Sequence, residues 1–136
     1  MKVTGHCYCG AVRYVADGEP LFRGQCHCRE CQYFSGGHPN VVIGMPAEGF
    51  KYTGEAPKQF ARSDLETPVT REFCGTCGTH ITTRVKQLPQ AVLVKVGTLD
   101  EPGIFERADQ VIYTIDAQGF HQFPEGVPTF ERLPPH

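Results

Sequence analysis

The chain of 136 residues contains no tryptophan, only two methionines and no long hydrophobic run. Its longest apolar runs, at 41–43 and 91–94, are far too short to cross a membrane, and its first residues lack the apolar stretch of a secretory signal. A net charge of −2 provides no basic field for nucleic acid. We therefore expect a cytoplasmic protein that binds neither membranes nor nucleic acid.

Internal repeats, coiled-coil heptads and low-complexity linkers are also absent, which favours a single domain over residues 1–136. Glycines and prolines divide the chain into short runs that alternate in the manner of strands. One short helix is predicted at 29–34, and the proline-rich residues 123–136 predict an extended tail. Strands are predicted at 11–15, 22–25, 40–45, 50–53, 58–62, 71–73, 80–85, 91–96 and 111–115. The pattern predicts a mainly β fold of short, mostly antiparallel strands with at most one or two short helices, pinned by a metal.

The seven cysteines all fall into three clusters, so they are not scattered apolar core residues. In a reducing cytosol, closely spaced cysteines are more often metal ligands or redox groups than structural disulfides, and an odd number cannot pair completely. The clusters are Cys7 with Cys9, then Cys26 with Cys28 and Cys31, then Cys74 with Cys77.

The spacing of Cys74 and Cys77 is that of a zinc knuckle, and Cys7 with Cys9 offers a second short chelate. Four thiolates around Zn²⁺ leave no open position, so this site is predicted to be structural. The alternative is that Cys7 and Cys9 are packed thiols while Cys74 and Cys77 form a redox pair.

The middle cluster offers three thiols, which is the ligand number of a zinc site with an open position. Three thiolates and Zn²⁺ sum to −1, so the ion suits holding a substrate thiol better than making a strong hydroxide nucleophile. His27 is an additional candidate ligand, although both of its neighbours are proposed ligands. Two alternatives stay open: a closed structural site completed by His38 or His80, and a redox trio. We expect two Zn²⁺ per chain, the second exchangeable.

Four segments resemble the glutathione-dependent formaldehyde-activating enzyme (GFA) family, also called the CENP-V/GFA domain. They are Gly5–Tyr14, Cys26–Cys31 with the following Ser35-Gly36, Phe73–Thr79 and Val96–Asp100. The resemblance implies an Mss4-like β fold, a structural zinc held by four cysteines and a catalytic zinc held by three. It also implies condensation of formaldehyde with glutathione to S-(hydroxymethyl)glutathione, a carbon–sulfur lyase reaction in reverse. The implied structural ligands are Cys7, Cys9, Cys74 and Cys77, and the implied catalytic ligands are Cys26, Cys28 and Cys31.

The chain departs from the family pattern in two regions. Many members open a late strand with His-Ile and carry a tryptophan soon after, where this chain reads Asp109-Gln110 and has no tryptophan. After the second cluster, Gln32-Tyr33-Phe34 stands where members more often have a basic residue. Both regions are expected to shape the substrate pocket.

Glutathione carries two carboxylates, so a pocket for it should offer cations. Arg29 and Arg62 are the first candidate carboxylate ligands, with Arg71 and Arg84 in neighbouring segments as further candidates, and His38 is a candidate pocket residue. The expected partner is a small-molecule thiol or aldehyde, and the chain is expected to be a monomer or a homodimer.

Three functions follow from the cysteine pattern. The first is a zinc-dependent lyase acting on a thiol adduct of a small aldehyde. The second is a non-catalytic zinc module that docks another protein, and the third is a thiol redox protein that uses Cys26, Cys28 or Cys31. An enzyme needs an open coordination position beside a pocket with polar groups, whereas a docking module needs an exposed apolar patch.

Overall fold

The computed structural model describes residues 1–135, and His136 lies outside the described residues. Their one α-helix, α1, spans Arg29–Phe34, as the sequence predicts. Short 3₁₀ turns occupy Ala47–Gly49, Val96–Thr98, Pro102–Phe105 and Thr114–Asp116. The strands are β1 (Lys2–His6), β2 (Arg13–Asp17), β3 (Phe22–Cys26), β4 (Asn40–Pro46), β5 (Phe50–Tyr52), β6 (Lys58–Phe60), β7 (Thr70–Phe73), β8 (His80–Arg84), β9 (Ala91–Lys95) and β10 (Gln110–Ile112).

The strands form two sheets. The smaller has the order β1-β2-β5, and the larger has the order β10-β3-β4-β9-β8-β7-β6. Every pairing is antiparallel except that of β10 with β3. The prediction of a mainly β, mostly antiparallel fold is therefore confirmed.

Both sheets contribute to one apolar core. Gly5 on β1 allows close packing there, because a Cβ at this position would lie 2.2 Å from the Tyr14 hydroxyl oxygen. That hydroxyl donates to Thr98 Oγ1 at 2.8 Å, since the Thr98 hydroxyl itself donates to the Lys95 carbonyl. The largest fully buried side chains of this core are Tyr14, Ile43, Met45, Ile81, Val12, Val92 and Val94.

The strand predictions fail at two places, and a third strand is displaced, since the one predicted at 11–15 lies at Arg13–Asp17. Strand β1 was not predicted, because Lys2–His6 lacks an apolar alternation and contains Gly5, yet the segment pairs along its whole length with β2. The last strand was predicted to reach residue 115 but ends at Ile112. Tyr113 has a left-handed backbone with φ of 56°, which no strand can continue, and a 3₁₀ turn follows.

The proline-rich end of the chain runs beside β10. Val111 donates its N–H to the Pro128 carbonyl, and Phe130 donates to the Val111 carbonyl. Val127 is buried against this strand. Earlier in the same segment, the Phe123 ring lies edge-on to His27 at 4.9 Å. These contacts connect the last segment to the turn that carries the middle cysteine cluster.

Candidate metal centres

Two similar turns carry the first and third cysteine clusters. In one, the N–H of Gly10 bonds the Cys7 carbonyl at 3.0 Å, and in the other the N–H of Gly78 bonds the Cys74 carbonyl at 2.9 Å. Both glycines have left-handed backbones, with φ of 83° and 79°. Glycine adopts this conformation without strain, so each turn closes tightly around its pair of thiols.

The four sulfurs of Cys7, Cys9, Cys74 and Cys77 all lie within 4.8 Å of one another. The Cys7–Cys9 and Cys9–Cys74 separations are 3.6 Å and 3.8 Å. A tetrahedron with Zn–S bonds of about 2.3 Å has sulfur–sulfur edges of about 3.8 Å. Disulfide sulfurs would be about 2.05 Å apart, so the spacing fits a shared ion.

Several N–H and O–H groups point at these sulfurs. The N–H of Val12 lies 3.3 Å from Cys7 Sγ, and that of Thr76 lies 3.3 Å from Cys74 Sγ. The Thr79 hydroxyl lies 3.2 Å from Cys77 Sγ and is the main reason that the pKa of this thiol falls to about 5. Such donors stabilise thiolates, which are the form that binds a metal.

The sulfurs of Cys26, Cys28 and Cys31 form a second group, again within 4.8 Å of one another. Cys26 ends β3, and Cys28 caps the N-terminus of α1 by accepting the Cys31 N–H at 3.3 Å. Cys31 is buried in the helix, whereas Cys26 and Cys28 are half-buried. The strand end and the helical turn thus aim three thiols at one point.

The three thiols share negative charge unequally. Hydrogen bonds from Cys26 and Cys28, and then the charges of Lys95 and Arg71, lower the pKa of Cys31 to about 3. The contacts of Cys26 with Cys28 and Cys31 raise the pKa of Cys26. A divalent cation would allow all three to ionise together, since a coordinated thiol loses its proton.

His27 is fully buried, but the thiol group does not include its ring. The ring contacts His121 at 4.8 Å and Phe123 at 4.9 Å, and within residues 1–135 neither of its nitrogens has a hydrogen-bond partner. Burial, and then the nearby His121 and His38, lowers the pKa of His27 to about 4. Its neutral ring therefore packs beside the site rather than among the sulfurs.

The candidate substrate residues have different contacts, although Arg62 lies 3.9 Å from Glu30, the neighbour of Arg29 in α1. Arg29 donates to Gln32 Oε1 at 2.7 Å and lies over the Tyr33 ring, while Arg62 pairs with Asp64 at 2.5 Å. His38 is exposed and lines a cleft of about 380 Å³, whose lining includes neither arginine. The residues lining the cleft are Gly36, Gly37, His38, Pro39, Phe120, His121 and Gln122.

His80 also stays outside the three-thiol group. Its ring contacts Phe34 at 4.8 Å and stacks on Phe73 at 5.3 Å. Burial, and then the charges of Lys95 and Arg71, lowers the pKa of His80. A closed four-ligand site at this cluster would require a histidine among the sulfurs, and neither His38 nor His80 lies there.

Sequence reasoning named Arg71 only as one of several candidate arginines, and it missed Lys95 and Asn40, which also lie behind Cys31. Arg71 is almost fully buried, lies over the Phe34 ring at 4.0 Å and sits 3.6 Å from Glu30 of α1. Lys95, at the end of β9, donates to Asn40 at 2.7 Å. The signal available in the sequence was a lysine that closes an otherwise apolar strand.

The fold and the two thiol groups define the class: a mainly β protein with one group of four cysteines and one of three, each of which could bind a metal ion. The family model described as glutathione-dependent formaldehyde-activating enzyme matches residues 2–116. The chain therefore belongs to this family.

The solved structures include a neighbour with the same fold. It is a Rhodobacter sphaeroides protein determined by crystallography as a structural genomics target, and it superposes with a TM-score of 0.59 at 17% identity. The match covers 93% of this chain and 98% of that one. Comparison with curated proteins gives no match. Within residues 1–135, no helix has the length and apolar character needed to cross a membrane.

Proposed function

We propose that the protein is a zinc-dependent carbon–sulfur lyase that acts on the adduct of glutathione, or another thiol, with a small aldehyde such as formaldehyde. The observation that carries this proposal is the group of three sulfurs from Cys26, Cys28 and Cys31 in a chain of this family. Three protein ligands would leave one position for a substrate thiol.

The two cysteine groups take different roles in this proposal. Cys7, Cys9, Cys74 and Cys77 would hold a structural zinc, because four thiolates complete its tetrahedron. Cys26, Cys28 and Cys31 would hold the second zinc, which when bound keeps a substrate thiol as thiolate at neutral pH.

The reaction needs one new bond and one proton transfer. In the condensation, the substrate sulfur bonds the aldehyde carbon, the carbonyl electron pair moves to oxygen, and the thiol proton ends on that oxygen. The lyase direction breaks the same carbon–sulfur bond. The chain contributes by fixing three thiols on the end of β3 and the first turn of α1, where Cys26 and Cys28 remain half-buried.

The test combines metal analysis with an activity assay. Anaerobically purified protein should hold two zinc ions per chain, and glutathione should weaken or alter the coordination of one. Formation of S-(hydroxymethyl)glutathione should exceed the uncatalysed rate, and Cys28→Ser should abolish the excess. Ser63→Ala, in an exposed loop, is the matched control and should leave it unchanged.

The outcomes separate this proposal from its alternatives. If glutathione changes the coordination of neither ion and product forms no faster than the uncatalysed rate, the lyase proposal is contradicted. That result would favour a zinc module that docks another protein. A second group that holds no metal but forms a reversible disulfide would favour a thiol redox protein instead.

A further inference from the structure

A chain of three side chains leads from β9 to the three-thiol group. Lys95 Nζ donates to Asn40 Oδ1 at 2.7 Å, and Asn40 Nδ2 donates to Cys31 Sγ at 3.7 Å. Asn40 is the first residue of β4 and is only 4% exposed. The amide is therefore held between a cation on one strand and a thiol on the helix.

Lys95 fixes the direction of these two hydrogen bonds. A lysine ammonium has only donors, so it must face the amide oxygen of Asn40. The amide nitrogen is then turned toward Cys31, and it can offer the sulfur nothing except an N–H. Without the lysine only the thiolate itself would favour this orientation, so the amide would be held less firmly.

Charge favours the same arrangement. Three thiolates and a divalent zinc carry a net charge of −1, which a buried group must compensate. Burial lowers the pKa of Lys95, while the negative charge of the nearby thiols acts against this shift. Lys95 thus places a positive charge behind the ligand that is most deeply buried.

We propose that Asn40, oriented by Lys95, is a positioning residue that holds Cys31 in place as a ligand of the metal ion at the three-thiol group. The inference rests on the proposed function, because it requires a metal at this group. It goes further by assigning two side chains outside the cysteine motifs to the strength and electronic character of that metal site. Outer hydrogen-bond partners commonly have this role at metal sites.

The test uses two variants and a control. Asn40→Asp keeps an oxygen for Lys95 but replaces the N–H donor beside Cys31 with a second oxygen. Lys95→Met removes the charge that orients the amide at similar side-chain length. Lys51→Met makes the same change at an exposed position of β5 and is the matched control.

Each protein is loaded with Co²⁺, and the two sites are titrated with a competing chelator. We expect the three-thiol site to bind about 10- to 100-fold more weakly in Asn40→Asp and Lys95→Met. Its sulfur-to-cobalt absorption band should move to longer wavelength, because a thiolate that loses a hydrogen bond has higher-energy lone pairs. The four-thiol site should keep its affinity and so report that the fold is intact, and Lys51→Met should match the unaltered protein at both sites.

Two results would overturn the inference alone. In the first, the unaltered protein holds two ions, and both variants keep the metal affinity of the three-thiol site within about twofold, with its absorption band unmoved. The other is the loss of both ions together in the two variants, which would assign these residues to general stability. An unaltered protein that binds metal only at the four-thiol site would contradict the metal centre of the proposed function, and the inference with it.

Discussion

Glu72 on β7 is a buried carboxylate with four hydrogen-bond donors. It is 4% exposed and accepts hydrogen bonds from Tyr52, Gln59, Thr82 and Arg84. Burial alone would raise the pKa of this carboxyl, but the four donors outweigh it and lower the pKa below its ordinary value. One carboxylate thereby connects β5, β6, β7 and β8, including a strand of the smaller sheet.

Replacing this carboxylate tests its contribution to stability. Glu72→Gln should lower the free energy of unfolding at pH 7 by about 2 to 4 kcal/mol, because donors remain buried around a neutral amide. Denaturant unfolding measures this difference. Glu66→Gln, at an exposed loop position, is the control and should change it by less than about 0.5 kcal/mol.

The difference in unfolding free energy between the unaltered protein and Glu72→Gln should change with pH in a definite direction. Because the folded-state pKa of Glu72 is depressed, its stabilisation is fully present above the unfolded value of about 4.3 and is lost as pH falls through the folded value. The gap between the unaltered protein and Glu72→Gln should therefore narrow on acidification below about pH 4. A gap that stays constant down to pH 2 would contradict this role.

At the scale of elements, β1 depends on close packing against β2 and the turn after β9. A Cβ on Gly5 would lie 2.2 Å from the Tyr14 hydroxyl and 2.4 Å from the Thr98 carbonyl. The Gly5 backbone also forms an isolated bridge with Leu99. The edge strand is thus fastened to the rest of the molecule at a position where no side chain fits.

Gly5→Ala should be destabilising even though alanine favours ordered backbone. We expect a loss of about 1 to 3 kcal/mol, since either Tyr14 or the backbone of Thr98 must move. Gly119→Ala makes the same change where an added Cβ meets nothing within 4 Å, so it is the matched control. Thermal unfolding of both variants provides the measurement, and equal melting temperatures would contradict the packing argument.

The elements differ in how far sequence predicts them. Local alternation or a glycine stop marks several elements in the sequence, so these could be predicted. They are helix α1 and strands β3, β4, β7, β8 and β9. Strand β1 was not, because its pairing comes from β2 and from the fit around Gly5. The end of β10 was overestimated, since nothing in a run of β-branched residues indicates the left-handed backbone of Tyr113.

The candidate site shows a similar division. The cysteine spacing predicted both thiol groups, and the structure brings each of them together. The contact of Lys95 with Asn40 could not be predicted, because it joins residues 55 positions apart through sheet pairing. The three proposed substrate residues were chosen by charge and proximity in sequence, and their role in binding stays a prediction.

At the scale of the whole molecule, the four-thiol group joins the two sheets. Cys7 and Cys9 follow β1 of the smaller sheet, whereas Cys74 and Cys77 lie between β7 and β8 of the larger one. An ion there would connect parts of the chain that local structure keeps separate, so its binding would be linked to folding. The three-thiol group spans only one strand end and one helical turn.

The two groups should therefore respond differently to the loss of one ligand. Cys74→Ser should lose its metal and unfold at a much lower temperature, whereas Cys28→Ser should stay folded with one metal per chain. Metal analysis and thermal unfolding on the same samples check both expectations. A Cys74→Ser protein with full metal content and unchanged melting temperature would contradict the structural assignment.

The division of the four-thiol group between two distant turns also has a consequence during synthesis. Cys77 is added 68 residues after Cys9, so at about 5 to 20 residues per second the first pair of thiols waits about 3 to 14 seconds for the second. Cys26, Cys28 and Cys31 are complete well before that. The nascent chain thus presents its three-thiol group first, before the four-thiol group that joins the two sheets is complete.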